Sequence, residues 1–286
     1  MPTLERIDLK TMDSRQPAQH TSVLLQEVLE YLDLKEGDVV VDATVGSAGH
    51  SFEICKRIGK TGHLIGIDLD EDALVRSKAK LTECASKVTL LHGHAKEIPT
   101  LLDTEGVMKV DKFLFDLGVS TPQLEDPERG ISFKGDGPLL MTMKKHTDER
   151  TLTAQEIVNT WGEESIADVL YGYGGETAAR RIAHAIVEER RKRPFTRTQE
   201  LAGLIERTIR RRGRIHPATK TFLALRIVVN DEIEGLKKAL DGALQRTKPQ
   251  GRIAVITFHS TEDRVVKHLF RSWGNQGEGK VLTKKP

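Results

Sequence analysis

Three short stretches hold the side chains best placed to do chemistry. DATVGSAGHS (residues 42–51) sets Asp42 before a turn containing Gly46, Ala48 and Gly49, with His50 directly after. GIDLD (66–70) closes an apolar run on Asp68, 22 residues beyond Gly46. DLGVSTPQ (116–123) closes another run on Asp116 and continues through Gly118, Ser120, Thr121 and Pro122 to Gln123. Glycines after a first strand let backbone approach a ligand closely, and a carboxylate ending the second strand can accept from two ribose hydroxyls, so a nucleoside-containing cofactor is implied. The turn lacks the full G-x-G-x-x-G that cradles a pyrophosphate. That omission argues against NAD and toward S-adenosylmethionine, which has no pyrophosphate.

Each of these residues also has a plainer reading. Ser120 or Thr121 with Pro122 and Gln123 forms a good helix start, with a hydroxyl cap, an early proline and a capping-box amide. In FHSTEDR (258–264), Ser260 and Asp263 read the same way. His259 stands at a strand's carboxyl end, His50 fits a first helical turn, and Asp42 fits a role in orienting the first turn.

The elements that must position these groups come next. GDVVVDATVG (37–46), GHLIGIDLD (62–70), KVTLLHGHA (87–95), KVDKFLFDLG (109–118) and GRIAVITFHS (251–260) are short, nearly all apolar runs rich in Val, Ile, Leu or Phe. Such runs are strands covered on both faces of a parallel sheet. Helical spacing separates the first four, which predicts an α/β doubly wound sheet with right-handed crossovers. From 150 to 212 the apolar period becomes helical, and Phe222, Leu225, Val229, Ile233, Leu236, Leu240 and Leu244 then predict one long helix leading into the fifth strand. The expected division is an N-terminal part (1–122), an inserted all-helical domain (123–216) and a C-terminal part (217–286).

Bulk properties narrow the class. The 286 residues carry a net charge of +2, yet thirteen arginines and lysines against four acids fall between Arg180 and Lys220. Charge runs are often solvated helix faces, but guanidinium forks suit phosphate, so RNA is the sharper expectation for this stretch. No apolar stretch is long enough for a spanning helix or a signal peptide, which predicts a cytoplasmic protein without membrane contact. Cys55 and Cys84 stand alone, with no CxxC and no nearby histidine pair; they read as buried thiols, without disulfide, zinc or other metal.

Longer motifs carry a resemblance. HTSVLLQEVLEYL (20–32), VDATVGSAGHS (41–51), DLGVSTPQLEDPERGISFKGDGPLLMTM (116–143), ETAARRIAHAIVEERRKRPFTRTQELAGLI (176–205), HPATKTFLALRIVVNDE (216–232) and GRIAVITFHSTEDRVVKHLF (251–270) together resemble the bacterial small-subunit ribosomal RNA cytosine-N4 methyltransferase family, the MraW/RsmH type. The resemblance implies a class I S-adenosylmethionine-dependent, Rossmann-like fold and a decoding-region cytosine of 16S RNA as acceptor. It implies cofactor contacts at Ala48, Gly49, His50, Asp68, Asp116 and Gln123, beside the turn glycine Gly46. Asp116, Ser120 and His259 are the candidate catalytic residues, Asp116 as acceptor for a proton of the exocyclic amine. The partner is the RNA or the small subunit; a homodimer is left open. The sequence departs from the family pattern at Ala48, at Ala95 where an aromatic is expected, at Leu140 and Thr142 in place of an acid and an arginine, and at Lys220 and Leu223.

Overall fold

The computed structural model describes residues 22–209 and 215–283. Five strands, β1 (Val39–Asp42), β2 (His63–Asp68), β3 (Lys87–His92), β4 (Val110–Asp116) and β5 (Thr247–Ile256), form one sheet in the order β3-β2-β1-β4-β5. All four pairings are parallel. Each expected strand is present, and the chain reverses direction across the sheet between β1 and β4, where folds of this kind open a ligand crevice.

Helices α1 (Leu25–Leu32), α2 (Gly49–Ile58), α3 (Glu71–Leu81), α4 (Ile98–Thr104) and α5 (Thr121–Glu125) accompany the first four strands. There follow α6 (Ala154–Thr160), α7 (Glu163–Gly172), α8 (Ala179–Arg190) and α9 (Thr198–Ile209), then α10 (Thr219–Val229), α11 (Glu232–Arg246) and, after β5, α12 (Ser260–Gln276). Because successive side chains of a strand point to opposite faces, alternate residues build separate cores. Val41, Ile65, Phe113 and Phe115 pack with Leu236 and Leu240 of α11 and Ile98 and Leu102 of α4. Val40, Leu64 and Leu114 pack with Leu29 and Leu32 of α1 and Ile54 and Ile58 of α2. Burying a side chain of this size contributes roughly 1.5–3 kcal/mol, so the two faces fix the register of every strand.

A third core is built mainly by the helices, with Leu139, Met141 and Phe195 from the connecting loops. Ile157, Ile166, Leu170, Ile182, Ile186, Leu201 and Ile205 are buried together with Phe222 and Leu225 of α10. The helix expected to run unbroken into β5 is two helices. Asn230 caps α10, and Asp231 adopts a left-handed backbone (φ 53°) before α11. Asn and Asp tolerate that conformation better than other non-glycine residues. The Asn230 amide also leaves the helix register: its Oδ1 accepts from Met143 N at 2.7 Å and its Nδ2 donates to Met141 O at 2.8 Å.

The cysteines correct a second expectation. Cys55 on α2 and Cys84, just past α3, are joined in a disulfide, with Cα atoms 5.9 Å apart. Both side chains sit on the α1–α2–α3 face of the sheet, so helix packing brings together two thiols that the sequence holds 29 residues apart.

Candidate active site

The carboxyl ends of all five strands open on a single cavity of about 400 Å³. Of the residues singled out in the sequence, Gly46, Gly49, His50, Asp68, Asp116, Ser120 and Gln123 line it, as does Asp42. Two stand apart from the lining. Ala48 is fully buried at a left-handed φ of 55°, its N–H donated to Val45 O, so it shapes the turn from beneath. His259 caps α12 instead.

The first turn is held by the second strand. Asp68 Oδ2 accepts from Gly46 N at 2.8 Å and its Oδ1 from Asp70 N at 2.9 Å, and each oxygen keeps a second lone pair for a ligand hydroxyl. Gly46 turns with φ +53°, and a Cβ on Gly49 would collide with Ser22 Oγ. Asp42 accepts from Thr44 N at 3.2 Å and from Ser51 Oγ at 2.7 Å. Thr44 Oγ1 in turn accepts from Asp116 N at 2.7 Å, tying the ends of β1 and β4.

Three carboxylates therefore share one low-dielectric space. Burial pushes the Asp42 carboxyl up to about 7, against the hydrogen bonds from Ser51 and Thr44 and with the charges of Asp116 and Asp68 adding to the rise. Burial pushes Asp116 up to about 6, and it raises Asp68 as well, opposed by the Asp70 and Gly46 amides. His50 Nε2 lies 3.6 Å from Asp116 Oδ2, but burial lowers the imidazole's pKa, so the ring stays neutral at pH 7 and leaves the carboxylates uncompensated. Asp116 Oδ1 is buried without a hydrogen-bond partner among the described residues. Such a group calls for a donor or a cation from outside the chain.

The string after Asp116 is occupied by its own backbone. Ser120 Oγ accepts from Gln123 N while Gln123 Oε1 accepts from Ser120 N at 3.0 Å, a capping box that opens α5. Gln123 Nε2 continues to Asp70 Oδ2 at 3.2 Å. Arg129, 5% exposed, reaches the same carboxylate at 2.9 Å and donates to the Met143 carbonyl. Arg129 and Asp70 thus fasten the loop after β4 to the start of α3. Sequence reasoning passed over both; the one signal was a lone arginine inside the acidic LEDPER. Thr142, a departure from the family pattern, is buried and accepts from Lys144 N.

At β5 the helix start falls one residue earlier than expected. His259 Nδ1 accepts from Glu262 N at 3.3 Å, and Glu262 Oε2 accepts from Phe258 N at 2.8 Å and from His259 N at 3.3 Å. Glu232, His259 and Glu262 have ligand atoms within 4.8 Å of one another. They are poorly suited to a metal: an Nδ1 that accepts a backbone proton leaves Nε2 protonated, and Arg226 already forks onto both Glu232 oxygens at 2.8 Å.

The sequence matches the MraW methylase family over residues 17–282. The chain belongs to that family. A protein of Brevibacillus brevis named "Ribosomal RNA small subunit methyltransferase H" is 40% identical, covering 93% of this chain and 90% of its own. Proteins of the same name from Koribacter versatilis and Symbiobacterium thermophilum are 43% and 45% identical, covering 93% and 89% of this chain and 86% and 80% of their own. The MraW methylase site is that of an S-adenosylmethionine-dependent methyltransferase. Its residues fit the cofactor: Asp68 for a ribose, Leu69 and Ala95 as apolar lining, and the uncompensated Asp42 and Asp116 for positive charge. When bound, the cofactor supplies an electrophilic methyl on a cationic sulfur.

The basic stretch is more paired than its composition implies. Arg191 meets Glu188, Lys192 meets Glu189, Arg193 meets Glu200 and Arg197 meets Asp136. Arg190 donates to the carbonyls of Val158 and Trp161, and Lys220 to that of Gly175. Arg180 and Arg181 carry no ion pair with another described residue, and Arg210, Arg211, Arg212 and Arg214 lie outside the described residues. Among the described residues no helix is long and apolar enough to cross a membrane.

Proposed function

We propose that this methyltransferase, working in the cytoplasm, transfers a methyl group to the exocyclic N4 amine of a cytosine in the decoding region of small-subunit ribosomal RNA. The observation that carries this reading is Asp116: a half-buried carboxylate whose buried Oδ1 has no hydrogen-bond partner among the described residues, at the cavity wall built by the loop after β4. Cytosine's amine is a poor nucleophile because its lone pair is delocalised into the ring. Asp116 accepts a hydrogen bond from one amine proton and so favours the pyramidal nitrogen that attacks in line. It then takes the proton released when the nitrogen–carbon bond has formed and the sulfur–carbon bond has broken. With a pKa of about 6 it is mostly ionised at neutral pH, as this role requires. Ser120 lines the same wall and can donate to the base. His259 acts from outside the cavity, by fixing the start of α12. Holding donor and acceptor in line supplies the remaining acceleration.

The helical region 123–216 is assigned to RNA recognition, with the arginines between Arg180 and Lys220 on phosphates. The names carried by the relatives favour small-subunit RNA over another acceptor. Mass mapping of methylated nucleotides in small-subunit RNA, with and without the gene, tests the target: loss of a methyl at one cytosine N4 is expected, and an unchanged map overturns the proposal. In vitro, Asp116→Asn should lower transfer at least a hundredfold with the fold intact; near-normal turnover would remove Asp116 from its role.

A further inference from the structure

Phe258 lies two residues past the end of β5, lines the cavity, and keeps 54% of its surface exposed. Exposing half a phenyl ring is unfavourable unless something covers it. Its position is nevertheless fixed. Glu262, only 2% exposed, accepts from Phe258 N, and hydrogen bonds from the His259 side chain and Phe258 amide outweigh burial to keep that carboxylate ionised. The ring lies over Gly118, two residues past Asp116; a Cβ on Gly118 would stand 3.4 Å from Phe258 Cδ2. Gly118 has φ +94°, a backbone that other residues rarely adopt, so one face of the ring rests on bare loop backbone with no side chain between them. Leu117 N donates to Ile256 O, which locks the two loops together.

We infer that Phe258 is the stacking platform for the acceptor base, holding the ring of the target nucleotide against its face so that the exocyclic amine meets Asp116. The inference rests on the proposed reaction at this site. A base reached by an enzyme must leave its stack, and an aromatic face restores the lost stacking. The DLGVSTPQ loop contains no aromatic residue to do so, and among the large hydrophobics exposed in the described structure Phe258 is the aromatic one that lines the cavity.

The test compares four variants with purified small-subunit RNA and S-adenosylmethionine. Base–aromatic stacking is worth roughly 1–3 kcal/mol, which is about a fivefold to hundredfold effect. Phe258→Leu and Phe258→Ala should lose transfer efficiency by that factor while cofactor affinity changes by less than about threefold. Phe258→Tyr and Phe258→Trp should recover most of it. A ring that merely packs on the loop would be replaced equally well by leucine, so full activity in Phe258→Leu overturns the inference. A binding readout separates this failure from failure of the proposed reaction. In Phe258→Trp with S-adenosylhomocysteine bound, cytidine monophosphate should quench the new indole fluorescence, and this needs no turnover. Saturable quenching supports the platform; unchanged emission up to millimolar nucleotide refutes it.

Discussion

Asp42 provides the sharpest quantitative test of a cavity poised for a cation. Its carboxyl is held near 7 in the folded protein against an ordinary 3.8. Between those values the native state binds the proton that the unfolded chain has released, so stability falls as pH rises through the window and levels off above about pH 7. This is the reverse of a salt-bridged carboxylate. At 1.36 kcal/mol per unit, a gap of about three units costs the fold roughly 4 kcal/mol at pH 8 and only roughly 2 kcal/mol at pH 5. Asp42→Asn removes the charge and keeps the geometry: the amide oxygen can accept from Thr44 N and the amide nitrogen can donate to Ser51 Oγ, the two groups that Asp42 now engages. Without cofactor, the variant should therefore be more stable than the parent at pH 8 by an amount that shrinks by roughly 2–3 kcal/mol on going to pH 5. Urea unfolding at pH 5, 6, 7 and 8 measures the difference. A difference independent of pH, or one that grows toward low pH, would refute the picture of stored carboxylate repulsion. The same variant should bind S-adenosylmethionine more weakly, with less loss for S-adenosylhomocysteine, which lacks the sulfonium charge.

Three further outcomes follow from other parts of the structure. Arg129→Leu strips the buried Asp70 of its closest cation and should cost about 3–5 kcal/mol in urea unfolding; a loss under about 1 kcal/mol would show that Arg76, 3.8 Å from Asp70, suffices. The double change Arg180→Glu and Arg181→Glu should lower RNA affinity and flatten its dependence on log salt by about two units, since each phosphate contact contributes roughly 0.9; an unchanged slope would return these arginines to the role of solvated surface. Opening the Cys55–Cys84 bridge with reductant should lower stability by about 3.5 kcal/mol, the chain-entropy value for a loop of this length, seen as a shift of the urea midpoint that Cys84→Ser abolishes.

The three inner strands were legible because they are buried on both faces: VVVD, HLIGID and KFLFD contain almost nothing a solvent-facing strand would carry. The positions of Gly46, Asp68 and Asp116 were legible for a related reason, since an acid ending an apolar run has to emerge at the carboxyl edge of the sheet. What sequence spacing left out depends on contacts between distant segments. The break at Asn230 and Asp231 is set by Met141 and Met143, nearly ninety residues away. The Cys55–Cys84 pair is set by helix packing, which no cysteine motif encodes. The α12 cap begins on His259 and not on the hydroxyl of Ser260, a register that spacing alone leaves open by one residue.

The same distinction explains how the loop after β4 works. Read along the chain, DLGVSTPQLEDPERG has far more hydrogen-bonding groups than one ligand could use. In the fold most of them are consumed internally: Ser120 and Gln123 on each other, Asp126 on Glu128 N, and Arg129 on Asp70 and Met143. Consumption of that kind makes the loop rigid, and rigidity is what lets Asp116 keep an oxygen free in a buried site. A flexible loop would collapse onto that oxygen and satisfy it. Positioning residues and reacting residues therefore occur in one string because the first group prevents the chain from neutralising the second.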